Sequence, residues 1–294
     1  MALDNEYPDT YGTWLVIPYF TGDKGLPNSQ RPLANVTPPA GQPAPIYWLC
    51  NGIRVEGNPL RKYIPDQPTT IEVDVANYGG GTNVAAITVT LWWAPPSPGF
   101  PPKLTPFGQA IVKARSRGGH TTAKITGTIP DGAGPNGHVC LLAQATAVGD
   151  QVTGNPAPGA ERHWAQLNID SINAEADGKF ATMFIASNSS HQPKTYHLSA
   201  QITDTRSAEH LAELLDTQIA RDPAITFELA SGDTKSSDDR PLVLHLEPHQ
   251  SVEVLLQGQT HQQADEVTII EISQHGAAGP SHDIQGALAI AITR

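Results

Sequence analysis

The stretch Thr69–Val75 (TTIEVDV) alternates strictly between apolar and polar side chains. Ile71, Val73 and Val75 share one face, and Glu72 and Asp74 share the other. This is the period-two pattern of a strand with one buried and one wet face. Asn77-Tyr78-Gly79-Gly80-Gly81 predicts a turn. AAITVTLWWA (85–94) then predicts a second strand, with Ile87, Val89, Leu91 and Trp93 on one face and Thr88, Thr90 and Trp92 on the other. IYWLCNGIRVEG (46–57) reads as an earlier strand, and QAIVKARSRGGHTTAKITGTI (109–129) as a hairpin turning at Gly118-Gly119. HVCLLAQATA (138–147) and RHWAQLNID (162–170) complete the set. Seven short strands in about 120 residues, separated by turn signals, indicate a β-sandwich.

The second half repeats the pattern. FATMFIASN (180–188), TYHLSAQIT (195–203), AITFELA (224–230), PLVLHL (241–246), QSVEVLLQG (250–258), DEVTIIEIS (265–273) and DIQGALAIAIT (283–293) all read as strands. One segment, SAEHLAELLDTQIARD (207–222), differs. Leu211, Leu214, Leu215 and Ile219 follow the i, i+3, i+4, i+8 spacing of a helix, with Ser207 as its cap and Asp222-Pro223 as its end. A short helix near 207–220 is therefore expected between strands.

Residues 1–45 are rich in Pro, Gly and Asn and should run extended over a surface. Within this arm, TWLVIPYF (13–20) is apolar and β-prone. It packs on its own chain or adds a strand to a neighbour, which makes Trp14 and Phe20 candidate contact residues. The predicted organisation is an arm over 1–45, a sandwich over 46–170 and a second, acidic sandwich over 171–294.

Charge sharpens this division. The chain of 294 residues has a net charge of −11. Residues 1–164 carry 11 acidic and 11 basic side chains, whereas 165–294 carry 18 and 7, so the entire excess lies in the C-terminal part. The acidic balance argues against a nucleic-acid partner. No apolar run approaches the roughly 20 residues of a membrane-spanning helix. The N-terminal MALDNEYPDTYG lacks a basic segment followed by an apolar core, so no Sec signal peptide is expected. The expected location is then the cytoplasm, or outside the cell by a non-Sec route.

Within 46–170, Val73, Val75, Asn77, Gly79, Asn83-Val84, Val89, Leu91, Trp92 and Trp93 form a series of alternating valines, Asn-x-Gly, a small loop ending in Asn-Val, and a strand ending in aromatics. This series resembles the bacterial CARDB-like family of cell-adhesion-related domains. GHVCLLAQA (137–145) followed by ERHWAQLNI (161–169) looks like the last two strands of a bacterial subgroup of CARDB-like proteins. The resemblance implies an Ig-like seven-stranded sandwich used for binding or as a structural module, usually without catalysis. The fold class expected is thus all-β: two Ig-like β-sandwich domains, a Pro-rich arm and one inserted helix.

Candidate chemistry is sparse. Cys50 and Cys140 have no CxxC partner, and without an export signal two buried reduced thiols are favoured over a bridge. His245-Leu-Glu-Pro-His249 has helical metal-ligand spacing but falls at a strand end, where i and i+4 do not share a face. His163, beside Arg162 and near Gln166 and Asn168, is either a ligand-binding cluster or a set of side chains satisfying loop backbone groups, the second being favoured. The loop 231–239 holds Asp233, Asp238 and Asp239 but no EF-hand pattern, and reads as a solvated turn. Gly-Pro-Ser-His-Asp283 places Ser, His and Asp in a row, and a triad is built from separated positions. G-x-S-x-G, P-loop and dinucleotide motifs are missing. No catalysis, cofactor or metal is therefore expected. Asn35-Val-Thr and Asn188-Ser-Ser read as chance sequons.

Two surface features remain. The Pro-rich loop 95–107 carries Phe100, Leu104 and Phe107, apolar residues in a connection that cannot be a central strand. Lys113, Arg115 and Arg117 form the densest basic run. The expected role is a non-enzymatic structural or interaction protein. It would dock on a protein partner or self-assemble through contact between this basic run and the acidic C-terminal half. The alternative is an adhesion or glycan-binding module, with Trp92 as its first contact. An accessory part of a hydrolase ranks last.

Overall fold

The computed structural model describes residues 8–33, 36, 46, 48–57, 63–99, 103–134, 138–152, 156–203, 209, 211–212, 215–220, 225–236, 240–276 and 284–294, with the backbone alone at 284 and 285. The chain divides into two compact units. The first comprises Met1–Trp93, Thr105–Pro130 and Leu141–Leu167, and the second Ala94–Leu104, Asp131–Cys140 and Asn168–Arg294.

The first unit is built from β1 (Leu15–Val16), β2 (Ile53–Val55), β3 (Pro68–Asn77), β4 (Val84–Ala94), β5 (Thr105–Arg115), β6 (Gly119–Thr128), β7 (Cys140–Ala147) and β8 (Trp164–Leu167). One sheet centres on β3, which takes β6 along one edge and β2 and β1 in succession along the other. The second sheet has the order β5-β4-β7-β8. The predicted alternation is present: Ile71, Val73 and Val75 are fully buried, as are Ile87, Val89 and Leu91 on the other sheet. Two sheets that each bury one apolar face make a sandwich.

Several expectations are corrected here. β5 and β6 follow one another around Arg117-Gly118, but β5 bonds to β4 and β6 to β3. They are not the two arms of one hairpin. Arg117 (φ 65°) and Gly118 (φ 89°) are both left-handed, and their amides donate to Gly79 and Asn77, so the turn docks on the end of β3. The segment 46–57 is not one strand. Leu49 bridges to Leu167 of β8, and after a turn at Asn51-Gly52 the chain crosses to β3 as β2. RHWAQLNID is likewise broken at Asn168, ending β8 before β9 begins. Trp93 does not join the buried face of β4. A register shift between Leu91 and Trp92 leaves it half-buried and buries Ala94 instead, the usual effect of a bulge on alternation.

The second unit contains β9 (Ile169–Asn173), β10 (Lys179–Ser187), β11 (Lys194–Ile202), β12 (Gln218–Ile219), β13 (Ile225–Ser231), β14 (Thr234–Lys235), β15 (Leu242–Leu246), β16 (Ser251–Thr260), β17 (Glu266–His275) and β18 (Ile284–Thr293). Its sheets have the orders β10-β16-β13-β14 and β15-β11-β17-β18-β9, the last pair parallel. Phe180, Phe184, Leu229, Val254 and Leu256 from the first sheet meet Tyr196, Leu198, Leu244, Ile270, Ile272 and Ile290 from the second in one core.

The expected helix is shorter than its apolar spacing implied. Among the described residues of 207–220, helical conformation is confined to Glu209, Leu211, Ala212 and Leu215. Ile219, the predicted i+8 position, lies in β12. That strand extends the edge of β17 beyond Ile202↔Ile270, pairing Gln218↔Glu266 and Ile219↔Val267. Unpaired edge groups on β17 recruit this backbone, and tertiary pairing overrides local spacing. Ser207, Asp222 and Pro223 lie outside the described residues.

Candidate functional site

β5 ends the order of its sheet, so its register with β4 decides what it shows to solvent. Val112 and Ala110 stand opposite the buried Ile87 and Val89, whereas Gln109, Ile111, Lys113 and Arg115 stand opposite Thr90, Thr88, Ala86 and Val84. The second set faces outward. Ile111 is 71% exposed and Val84 52%, with Lys113 and Arg115 also exposed. An edge strand leaves one side of its backbone open to a further strand, and here the exposed face beside that edge carries Ile111 among polar and basic side chains. Arg117 is exposed in the following turn.

The aromatic candidates are less open. Trp92 is half-buried and stacks on the buried Trp164, ring centroids 5.5 Å apart. Leu104 and Phe107 are half-buried, and a Cβ added at Gly127 would meet the Phe107 ring, so Phe107 lies over β6. Phe100 lies outside the described residues, as do residues 34–35 and 37–45 of the arm, the sequon at Asn35, Asp238 and Asp239 of the acidic loop, and 277–283 with their Ser-His-Asp run.

The arm is a part of its own unit rather than a free strand. Leu15 and Val16 pair with Asn77 and Ala76 of β3. Trp14, Leu15, Val16, Ile17 and Tyr19 are buried, which corrects the reading of Trp14 as a contact for a neighbour. Its indole Nε1 donates to Lys24 O (2.7 Å), and the Arg162 guanidinium lies 3.8 Å above its ring. Phe20 is half-buried and lines a pocket of about 310 Å³ with Asn51, Asp74, Tyr78 and His120.

Two ionic clusters hold the arm. Asp150 accepts both guanidinium nitrogens of Arg162 (2.6 and 2.8 Å) and Leu15 N (2.5 Å), and Arg162 donates in turn to Leu15 O (2.6 Å). One residue of β1 is thus gripped through both backbone groups. His163 bonds Asp150 through Nε2 (3.1 Å) and Glu161 through Nδ1 (2.6 Å). Burial opposes charge on Asp150, but the bonds from Arg162 and His163 outweigh it and hold the carboxyl at about 2. Burial also opposes charge on His163, and its two carboxylate partners outweigh that and raise its pKa. The second cluster is the buried pair Asp23–Arg31 (2.8 Å), in which Asp23 also accepts Tyr19 N and Gly25 N, 2.9 Å each. The His163–Arg162 motif seen in the sequence therefore satisfies loop and arm backbone. Asp150 was not legible there, since nothing local marks its meeting with Leu15.

Cys50 and Cys140 are buried and not in a disulfide, and burial pushes both thiols up to about 12. Asn188 is fully buried, with its side-chain amide donating to Gln192 O, Leu246 O and Glu247 O. In the folded chain its sequon is closed to modification. His245 contacts Thr195, not His249, which instead meets His191. In the second unit an open groove of about 670 Å³ is lined by Lys179, Thr226, Glu228, Gln257 and Gln259 over Phe227.

No protein-family model and no curated protein matches the chain. Solved structures to which it is similar include the N-terminal domain of PorA, at 16% identity over 49% of this chain and 91% of that one, TM-score 0.28. Others are the collagen adhesin of S. aureus (9%, 82% and 91%, TM-score 0.23) and the CFA/I adhesin CfaE of enterotoxigenic E. coli (8%, 83% and 83%, TM-score 0.25). Likeness at these TM-scores bears on neither activity nor partner, and the all-β sandwich assignment stands on the sheets themselves.

Proposed function

We propose that this chain is a non-enzymatic interaction protein of Ig-like sandwiches, comprising an arm over 1–45 and domains over 46–170 and 171–294, that assembles with further copies of itself. The observation carrying this reading is the exposed outer face of β5, with Ile111 71% exposed between Gln109 and the basic pair Lys113 and Arg115. The fitting partner surface is the acidic C-terminal half of another copy, because all of the −11 net charge resides there. Such a contact is head-to-tail and steered by charge. The CARDB-like pattern of residues 73–93 supports a bacterial module of this kind.

Light scattering across a salt series tests the proposal. The wild type should exceed its monomer mass of 31.3 kDa at low salt and approach it at high salt. Ile111→Asp and the double variant Lys113→Glu/Arg115→Glu should remain monomeric while keeping wild-type circular dichroism. A wild-type monomer at all salt concentrations overturns it.

A second reading, glycan binding, is favoured by the open groove of the second unit. Amide and carboxylate side chains at Gln257, Gln259 and Glu228 over the Phe227 ring suit sugar hydroxyls and a sugar face. A glycan array giving no signal for the wild type, or the same signal for Gln257→Ala/Gln259→Ala, counts against it.

A further inference from the structure

His191, between β10 and β11, and His249, in the turn between β15 and β16, are 58 residues apart in sequence and both exposed. Nδ1 of His191 and Nε2 of His249 lie 3.0 Å apart, with ring centroids 4.8 Å apart and planes at 77°. The two loops are tied to each other through Asn188. The Asn188 side-chain amide donates to Gln192 O (2.8 Å) on one loop and to Leu246 O and Glu247 O (both 3.1 Å) on the other. Asn188 N donates to Gln250 O (2.9 Å), and Asn188 Oδ1 accepts from Ser190 Oγ (2.7 Å) and Tyr196 Oη (2.9 Å). Gln250 closes the turn that carries His249 by bonding Glu247 through backbone (3.0 Å) and side chain (2.8 Å). The pair is thus presented by two loops cross-linked through Asn188, an arrangement that favours chelation by two ligands over binding by one.

We propose that His191 and His249 form a two-imidazole site for a divalent first-row transition-metal ion. With metal–nitrogen bonds of about 2.05 Å, a 3.0 Å nitrogen separation corresponds to a ligand–metal–ligand angle of about 94°. That is the cis angle of a tetragonal or octahedral ion, so the nitrogen separation suits Cu²⁺ and Ni²⁺ once the rings turn their lone pairs onto a common point, whereas tetrahedral Zn²⁺ also needs the nitrogens about 0.3 Å further apart. Without metal, one of the two facing nitrogens carries a proton and donates to the other. On binding, both present lone pairs and both protons sit on the outward nitrogens, which solvent satisfies. Among the described residues no group of three or more His, Cys, Asp or Glu surrounds a common point. The site is therefore open, with water or a partner's side chain filling the other positions, and protons compete with the metal for it.

Cu²⁺ titration into the tag-free, chelator-treated full chain tests the site by calorimetry and electron paramagnetic resonance. The wild type should show one tightest event with a two-nitrogen signature. That event should be lost in His191→Ala and in His249→Ala, retained in His245→Ala, and weakened on acidification. Zn²⁺ should bind more weakly than Cu²⁺. Circular dichroism of each variant confirms its fold, and Asn188 is left intact so that the loops keep their support. Equal Cu²⁺ binding by wild type and the His191→Ala/His249→Ala double variant overturns the proposal, as does a one-nitrogen signature in the wild type.

Discussion

Replacing Asp150 by alanine should release the arm. The carboxylate serves four donors: both terminal nitrogens of Arg162, Leu15 N and His163 Nε2. Its side chain is 7% exposed and that of Arg162 14%, so water does not take over these bonds. Breaking a buried ion pair by removing one partner costs about 3–5 kcal/mol, because the remaining charge stays desolvated. Arg162 keeps Leu15 O and the Trp14 ring face, which places the expected loss near the lower end, about 3 kcal/mol. Arg162→Ala in the Asp150→Ala background should then cost about 2 kcal/mol less than in the wild type, since the pair is coupled. Guanidinium chloride unfolding followed by tryptophan fluorescence gives both numbers. Amide hydrogen exchange at Leu15, whose N–H loses its acceptor, reads the arm directly. A loss below about 1 kcal/mol with unchanged Leu15 protection would refute the clamp as an energetic unit, because that is the range of a solvent-screened pair.

The same cluster sets a pH dependence. Asp150 titrates below its unfolded value, so its contribution is present above about pH 4 and is lost as pH falls toward 2. His163 titrates above its ordinary value, so its contribution is full below about pH 6.5 and is lost as pH rises through the folded-state pKa. The difference in melting temperature between wild type and Asp150→Ala should be largest near pH 5.5 and shrink toward both pH 2.5 and alkaline pH; a difference that does not vary with pH contradicts the assignment. Gly25 is left-handed (φ 64°), and a Cβ there would collide with the Arg162 side chain, so Gly25→Ala should cost about 2 kcal/mol in denaturant. Equal midpoints for the two proteins would count against that packing. Cys50 and Cys140, buried with thiols pushed to about 12, should resist a thiol reagent in the native state and react once denatured; rapid labelling of the folded chain would contradict their burial.

Strand identity was written locally. Ile71, Val73 and Val75, or Ile87, Val89 and Leu91, alternate because successive side chains of a strand point to opposite faces, and burial of one face leaves that record in the sequence itself. The strands expected in the second half occur as β10, β11, β13 and β15–β18 for the same reason. Sheet membership was not local. Whether β5 pairs with β6 or crosses to β4, and whether 46–57 is one strand or a sheet switch at Asn51-Gly52, depends on which distant edge offers unpaired backbone groups. Ile219 illustrates the same competition, since its spacing suited a helix while its backbone found the open edge of β17.

The candidate sites divide in the same way. The basic run at Lys113, Arg115 and Arg117 is visible as composition, and His163 beside Arg162 as a motif. That Asp150 closes on Leu15, 135 residues away, or that His249 meets His191 rather than His245, leaves no periodic trace. The sequence by itself determined the all-β character, the faces of the strands and the placement of charge, because period and composition are properties of neighbouring residues. Only the tertiary structure decided which edges pair, that the arm is locked onto its own unit and which histidines meet, because those contacts join residues whose separation along the chain carries no information about their distance in space.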